Sequence, residues 1–456
     1  MGKHSFSCGF VLGLLICTGA AHAKDLGEIL VEKGLITREE LSQAKEEEKQ
    51  KAAAEESRRE AVAAKIPKWL EMITPFGDVR VRHEGFYEND MTARNRERFR
   101  ARVGLTANVS KEIAAMVRLA TGDSNDPIST NQSFQSTFTR KSINLDQAYL
   151  TFKPGNTFHL EPGLFTLVAG KFGVNAYRTS ELLWDDDLSP EGATETLTLV
   201  ERKQGWLRGL KVNALQWVVN EVSDGADPWM AGGQVVGDVG LGTFANWTLS
   251  LADFSYQNTN QVARAALAGG TSPNSSLANS NDIVTITTGT SKKPVAYRYG
   301  FNIINVATEL NFPDPFGLGI PAGVFGDLAY NTQADNRNVG FYAGVGIGKA
   351  GKDWYHNSMK NPGDWGASYT FARVEKDAVL SLFSYSDIDY VQPKATQKGS
   401  TNVVAHMIRF DYQLLPNLQL TAKAHFINAL DRQISNASLA GNATLVRTQL
   451  DAVVKF

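Results

Sequence analysis

The last twelve residues, Leu445-Val446-Arg447-Thr448-Gln449-Leu450-Asp451-Ala452-Val453-Val454-Lys455-Phe456, alternate strictly. Successive side chains of a strand point to opposite faces. Val446, Thr448, Leu450, Ala452, Val454 and Phe456 therefore share one face, and Arg447, Gln449, Asp451, Val453 and Lys455 share the other. One face is apolar and the other largely polar. Such a strand fits two settings: the edge of a soluble sheet, with its apolar face on a core, or a transmembrane barrel, with that face on lipid and the polar face on water. The rest of the chain decides between them.

Bulk composition favours the barrel. The 456 residues include 40 Gly, with 10% aromatic and 21% charged residues, and the mean hydropathy is −0.23. Beyond the first 23 residues no stretch approaches the roughly 20 consecutive apolar residues of a membrane helix. A membrane protein of this profile crosses with strands. The formal net charge of −2 lacks the basic excess of a nucleic-acid binder, so no nucleic-acid partner is expected.

Residues 1–23 read as a cleaved signal peptide. Lys3 and His4 form a short basic region, Phe10 to Ile16 an apolar one, and Ala21-His22-Ala23 a small-x-small cleavage site. Both cysteines, Cys8 and Cys17, lie inside it. Leu14-Leu15-Ile16 lacks the small residue expected before a lipidated Cys, so the mature chain is expected to carry no thiol, disulfide or Cys-based metal site. The leader holds one Lys and no acid, so its removal moves the net charge to about −3.

Residues 24–66 read as helical. Thr37-Arg38-Glu39-Glu40 has the form of a capping box, and Ser42 to Ala64 is almost all Ala, Glu, Lys, Gln and Arg, with Pro67 ending the run. A periplasmic helical hairpin or weak coiled coil follows, able to meet peptidoglycan or another periplasmic partner. The segment Leu26-Gly27-Glu28-Ile29-Leu30-Val31-Glu32-Lys33-Gly34-Leu35-Ile36-Thr37 resembles the N-terminal repeat of type II secretion ATPases. That resemblance implies cyclic-dinucleotide binding, but Asp25-Leu26-Gly27 stands where the repeat has Arg-Leu-Gly.

From Phe76 the period switches to two. Val79, Val81, His83, Gly85 and Tyr87 oppose Arg80, Arg82 and Glu84, and Phe99, Ala101, Val103, Leu105 and Ala107 oppose Arg98, Arg100, Arg102, Thr106 and Asn108. After a Ser110-Lys111 turn, Ile113, Ala115, Val117 and Leu119 oppose Arg118. Continued alternation places strands near 144–153, 163–171, 194–202, 206–220, 232–239, 244–257, 297–311, 320–331, 338–349, 363–385, 402–413 and 417–428. The apolar phase slips between Ile303 and Ile304, which predicts a bulge. Lys153-Pro154-Gly155-Asn156, Pro313 to Gly317 and Leu415-Pro416-Asn417 are expected as short turns, and Asn258 to Lys293 as a long outer loop. With both barrel ends on one side the strand count must be even. Treating Glu375-Lys376-Asp377 as an interruption within one long strand gives about sixteen, enough to enclose an aqueous channel rather than a packed core. The expected fold is an all-β transmembrane antiparallel β-barrel over residues 67–456.

Two features carry functional expectations. The first is the basic comb Arg80, Arg82, Arg98, Arg100, Arg102 and Arg118. On a lipid face each would cost about 2–4 kcal/mol at the midplane, so all should point into the lumen. There they either attract anions or pair with an inserted loop. The second is the loop Ser180 to Gly192, whose Asp185, Asp186, Asp187 and Glu191 flank Trp184 and Pro190. Folded inward, its carboxylates would oppose the comb across a constriction. The open alternatives are a plain acidic surface or a Ca²⁺ site, though the ligand spacing of a dedicated calcium loop is missing. Gly340, Gly344, Gly346 and Gly348 share one strand face and would let an infolded loop approach the wall. No nucleophile with a nearby base, no His cluster and no phosphate loop is present, so no enzymatic activity and no cofactor or metal is expected.

The runs Leu145-Asp146-Gln147-Ala148-Tyr149-Leu150-Thr151-Phe152-Lys153-Pro154, Trp184 to Gly192, Pro362-Gly363-Asp364-Trp365 and Glu375-Lys376-Asp377-Ala378 resemble the putative porin family of Gram-negative bacteria. The resemblance covers roughly Lys65 to Phe456 and implies an outer-membrane channel, often trimeric. General porins carry Pro-Glu-Phe-Gly-Gly in the third loop, and this chain has only Pro190-Glu191-Gly192. Leu450, Ala452, Val454 and Phe456 resemble the C-terminal signal of Gram-negative outer-membrane barrels, which implies insertion by the barrel-assembly machinery. The expectation is a homotrimeric porin in outer-membrane lipid that passes small hydrophilic solutes and ions by diffusion. Two alternatives are a substrate-specific channel for phosphate or organic acids and a structural barrel tethered to the cell wall by its N-terminal helices.

Overall fold

A computed structural model describes residues 33–34, 37–43, 46, 50, 67–88, 92–223, 225–267, 280–288, 291–348, 359–390, 399–431 and 444–456. The leader, the resemblance to the secretion-ATPase repeat and most of the expected helical hairpin lie outside them. The chain divides into two units, Met1–Glu71 and Met72–Phe456. In the first, the Thr37 N–H donates to Glu40 Oε2 at 2.7 Å and the Glu40 N–H to Thr37 Oγ1 at 3.1 Å. This reciprocal cap opens the helical residues 38–43. Pro67 then precedes a one-turn helix α1, Lys68–Glu71.

The second unit is a closed barrel. In chain order its strands are β1 Ile73–Tyr87, β2 Arg94–Asn108, β3 Ile113–Thr121, β4 Gln132–Ser133, β5 Ile143–Phe152, β6 Phe165–Lys171, β7 Glu191–Glu201, β8 Leu207–Val218, β9 Trp229–Leu241 and β10 Ala245–Gln257. After helix α2, Thr259–Leu267, come β11 Ile283–Thr288, β12 Ser291–Tyr297, β13 Phe301–Phe312, β14 Ala322–Asn331, β15 Val339–Gly348, β16 Trp365–Val374, β17 Val403–Leu415, β18 Leu418–Ala429 and β19 Leu445–Lys455. Among the described residues, β11 and β12 form a separate hairpin and β4 is a two-residue patch on β2. The other sixteen strands pair antiparallel with their neighbours, and β1 pairs with β19, for example Val81 with Ala452 and Arg82 with Asp451. Closure leaves the wall without an open edge. Phe456 itself exchanges backbone hydrogen bonds with Gly77 at 2.8 and 3.0 Å, so the chain's last residue completes the seam.

The barrel is inside-out relative to a soluble sheet. Val81, Val103, Val117, Leu150, Leu251, Val345, Ile408 and Leu450 are exposed on the outer wall, while Arg82, Glu84, Arg100, Gln234, Asp327, Asp411, Arg447 and Asp451 are buried inside. This is the pattern expected of a wall in hydrocarbon. At the end where the chain enters and leaves the barrel, several connections are short, such as residues 242–244 and 416–417. Long loops crowd the other end.

Two of those loops turn into the lumen. Loop 172–190 packs with the described parts of loop 375–402 into a cluster built around Phe172, Leu182, Trp184, Leu380, Leu382 and Ile388. Trp184 meets Trp217 and Phe254 of the wall, with ring centroids 4.9 and 4.8 Å apart. The lumen is therefore partly filled by an apolar core, not left as a simple aqueous tube.

This core corrects three expectations. The strand expected over 363–385 ends at Val374, and Glu375 onward is the start of the second infolded loop. No bulge lies between Ile303 and Ile304, since both β13 registers run through them without a shift. The apolar phase slips there because Phe301 and Ile303, buried on the inner face, belong to the luminal cluster. The stretch 258–293 carries α2, β11 and the start of β12, and Ser280 and Asn281 are buried against loop 375–402. The glycine-lined face of β15 does admit a loop. A Cβ at Gly340 would lie 3.2 Å from both Ala378 and Leu182, one from each infolded loop.

Candidate functional site

The luminal cluster leaves a cavity of about 150 Å³ between the two loops and the wall of β16, β17, β18, β1 and β2. Its basic lining is Arg80, Arg82, Arg98, Arg100, Arg409 and Lys423. Its acidic lining is Glu181, Asp185, Asp186, Asp187 and Asp387.

The alternation of β1 and β2 aims their arginines inward, and their partners differ. Arg82 makes a bidentate pair with Asp451 at 2.7 and 2.8 Å. Arg100 and Arg102 converge on Asp78 at 2.7–3.0 Å, and each stands 3.7 Å from Asp187. Arg118 pairs with Asp146 at 2.5 Å, outside the cavity lining. Arg98 donates to Ser129 Oγ at 3.2 Å and lies 3.8 Å from Glu84. Arg80 donates to Asn131 Oδ1 at 2.5 Å and forms no ion pair among the described residues. The Nε atoms of Arg80 and Arg98 are buried without a hydrogen-bond partner.

The acidic loop is used differently from a row of carboxylates facing a gap. Asp185 accepts from the Ser386 N–H and hydroxyl, both at 3.1 Å. Asp186 pairs with Arg178 at 2.5 Å. Asp187 accepts from the Thr130 N–H and hydroxyl at 3.1 and 3.0 Å and sits against the comb rather than across from it. Glu191 opens β7 and pairs with Lys171 at 2.9 Å, away from the cavity. Because the neighbouring carboxylates diverge to separate partners, they do not converge on a cation, and no metal-holding group of three His, Cys, Asp or Glu occurs among the described residues.

Environment separates these acids further. Burial pushes Glu181 and Asp185 well above the usual carboxylate range, and the neighbouring carboxylates reinforce the effect. Asp187 is held well below that range because Arg100, Arg102 and Arg80 outweigh its burial. The carboxylates of weakened acidity lie on the loop, and the unpaired positive charge lies on the wall.

Several site residues escaped the sequence reading. Arg94 and Arg96 extend the β2 ladder upward, with their guanidinium carbons 5.6 and 5.1 Å from the Phe86 ring. Glu84 gathers Arg96, Arg447 and Gln449. The second infolded loop adds Tyr385, Ser386 and Asp387. The unbroken Arg94-x-Arg96-x-Arg98-x-Arg100-x-Arg102 alternation was the available signal for the first two. Asp387 had none.

A family model described as a putative porin matches residues 84–444. Among solved structures, the chain is similar to Pseudomonas putida OprB at 11% identity, covering 85% of this chain and 96% of that one, with a TM-score of 0.49. It is similar to Salmonella typhi OmpF, solved with daunomycin, at 9% identity, 84% and 97% coverage and a TM-score of 0.46. The trimer form of Vibrio cholerae OmpT gives 10% identity, 84% and 99% coverage and a TM-score of 0.41. No match is found among curated proteins.

Proposed function

The chain belongs to the putative porin family, an outer-membrane channel, and from that premise we propose that it passes small hydrophilic solutes by diffusion with a preference for anions. One observation carries the preference: Arg80, lining the cavity, has no ion pair among the described residues and keeps a buried, unpartnered Nε. Six cationic side chains line the cavity against five carboxylates, two of which burial biases toward the neutral form. A charged wall in a low-dielectric constriction focuses its field on the passing ion. The channel performs no covalent chemistry.

A saturable site for small anions, such as phosphate or an organic acid, is favoured over an unselective pore by the narrowness of the cavity. The proposed assembly is a homotrimer. The outward His83–Glu97 pair, 2.6 Å apart with side-chain exposures of 41% and 48%, supports a wall covered by protein rather than hydrocarbon. Purified protein in a planar bilayer is expected to give stepwise, ohmic openings, and current saturating with phosphate would mark the site. Silence from a folded, heat-modifiable barrel would overturn the channel reading.

A further inference from the structure

Three wall cations converge on a single carboxylate that the wall does not own. Asp387 sits in a one-turn 3-10 helix, Ser386–Ile388, inside loop 375–402. Its Oδ1 lies 2.7 Å from Arg447 Nη2, and its Oδ2 lies 3.7 Å from both Arg82 Nη1 and Lys423 Nζ. The Tyr385 hydroxyl donates to Oδ2 at 3.2 Å. Arg82, Lys423 and Arg447 come from β1, β18 and β19, so the pocket is built across the barrel seam. These cations hold Asp387 well below the usual carboxylate range although burial opposes it.

Arg82 and Arg447 retain strand-borne partners, Asp451 and Glu84 respectively. Arg82 Nη1 and Arg447 Nη2 reach the loop carboxylate, Arg447 Nη1 donates to the Ser386 carbonyl of the same loop at 2.9 Å, and Lys423 forms no other ion pair among the described residues. A carboxylate delivered by a loop, and held by charged groups of the pore wall, has the geometry of a bound oxyanion.

We propose that Asp387 is a tethered occupant of an oxyanion site formed by Arg82, Lys423 and Arg447, and that anionic solutes bind there by displacing it. The inference rests on the anion-channel reading. Phosphate or a solute carboxylate would take the same charge-assisted contacts while the side chain of Asp387 swings away. The solute and the loop then compete for one set of cations, and the loop sets the affinity. No covalent step is involved.

The test uses the full-length protein in planar bilayers with inorganic phosphate as the probe, in the wild type, Asp387→Asn, and Asp387→Asn combined with Lys423→Gln. Current is carried by chloride, and the phosphate concentration giving half-block is read. Removing the competing charge while keeping the side chain's size should lower that concentration by about tenfold, equivalent to about 1.4 kcal/mol. Lys423→Gln should reverse most of the gain. An unchanged half-block in a heat-modifiable, anion-selective Asp387→Asn protein overturns the tethered-occupant inference and leaves the channel reading standing. A cation-selective wild type instead overturns the anion reading on which it rests. If Asp387→Asn does not form a heat-modifiable barrel, Asp387→Ser, which removes the same competing charge, decides: stronger phosphate block supports the site, and unchanged block overturns it.

Discussion

Asp185 and Ser386 join the two infolded loops, with one carboxylate oxygen accepting both the backbone N–H and the hydroxyl of Ser386 at 3.1 Å. Backbone bonds flank this contact: the Asp185 N–H donates to Phe383 O at 2.7 Å, and the Tyr385 N–H to Glu181 O at 3.1 Å. The constriction is thus a property of two loops acting as one body. Asp185→Ala strands the Ser386 donors, a loss of about 1–3 kcal/mol for a buried contact. Single-channel recordings should then show larger mean conductance and more current noise than the wild type. An unaltered trace would show that the backbone bonds alone hold the loops.

Across the seam, Arg82 and Asp451 are 3% and 5% exposed at the side chain and meet in a bidentate pair. Removing one partner of a buried pair leaves an uncompensated charge and costs about 3–5 kcal/mol. Asp451→Ala should therefore lower the temperature at which the barrel loses its heat-modifiable migration on gels. Asp451→Glu should recover part of the loss.

Asp377 supplies a pH dependence. Burial, helped by the charge of Asp282, pushes its carboxyl up to about 6, above its ordinary value of 3.8. A group whose folded value is raised contributes stability that is fully present below the unfolded value and is lost as pH rises through about 6. The anchor of loop 375–402, where Asp377 accepts the Asp282 N–H at 2.8 Å, should be tighter at pH 5 than at pH 7.5. The difference should be on the order of 1 kcal/mol, because about one unit of the titration window, from pH 5 to about 6, lies between the two pH values. Protease sensitivity of the loop at the two pH values measures it, and Asp377→Asn should remove the difference.

Gly340 lets both loops lie on the wall. Gly340→Val would place a Cβ 3.2 Å from Ala378 and Leu182 and add two methyl groups beyond it, an overpacking cost of about 1–3 kcal/mol. Thermal unfolding should fall by several degrees with the barrel's strand content intact by circular dichroism.

On the outer wall, Glu97 faces His83 among apolar neighbours such as Val81. If a second copy covers this wall, Glu97→Leu should reduce the yield of detergent-resistant oligomer. A lipid-facing wall would instead gain stability from the same substitution, since it removes a charge from the hydrocarbon.

Strand positions were legible because period-two alternation is a local consequence of which face meets lipid. The sixteen-strand count was legible because both chain ends must leave the same side. What was illegible came from the lumen filling. Phe301 and Ile303 are apolar inside the barrel because a distant loop packs on them, so the alternation inverted and imitated a bulge. Ala378 to Tyr385 read as part of a strand because its apolar residues are buried in the lumen almost throughout, in part against the other loop. The comb's inward aim followed from the cost of charge in lipid, and the third-loop acids from their density. Their hydrogen-bond partners, and the place of Asp387 among Arg82, Lys423 and Arg447, depend mostly on contacts between residues tens to hundreds of positions apart, which no local pattern encodes.

The central claim is that the wall arginines, not the loop carboxylates, govern the cavity. Its most direct test is the zero-current potential of the wild type and of the Arg80→Ala, Arg98→Ala double variant under a tenfold KCl gradient, with the ratio of chloride to potassium permeability read from its sign and size. The account predicts anion selectivity in the wild type and a shift of the potential toward cation selectivity in the variant. A cation-selective wild type, or a potential unmoved by the loss of both arginines, would contradict it.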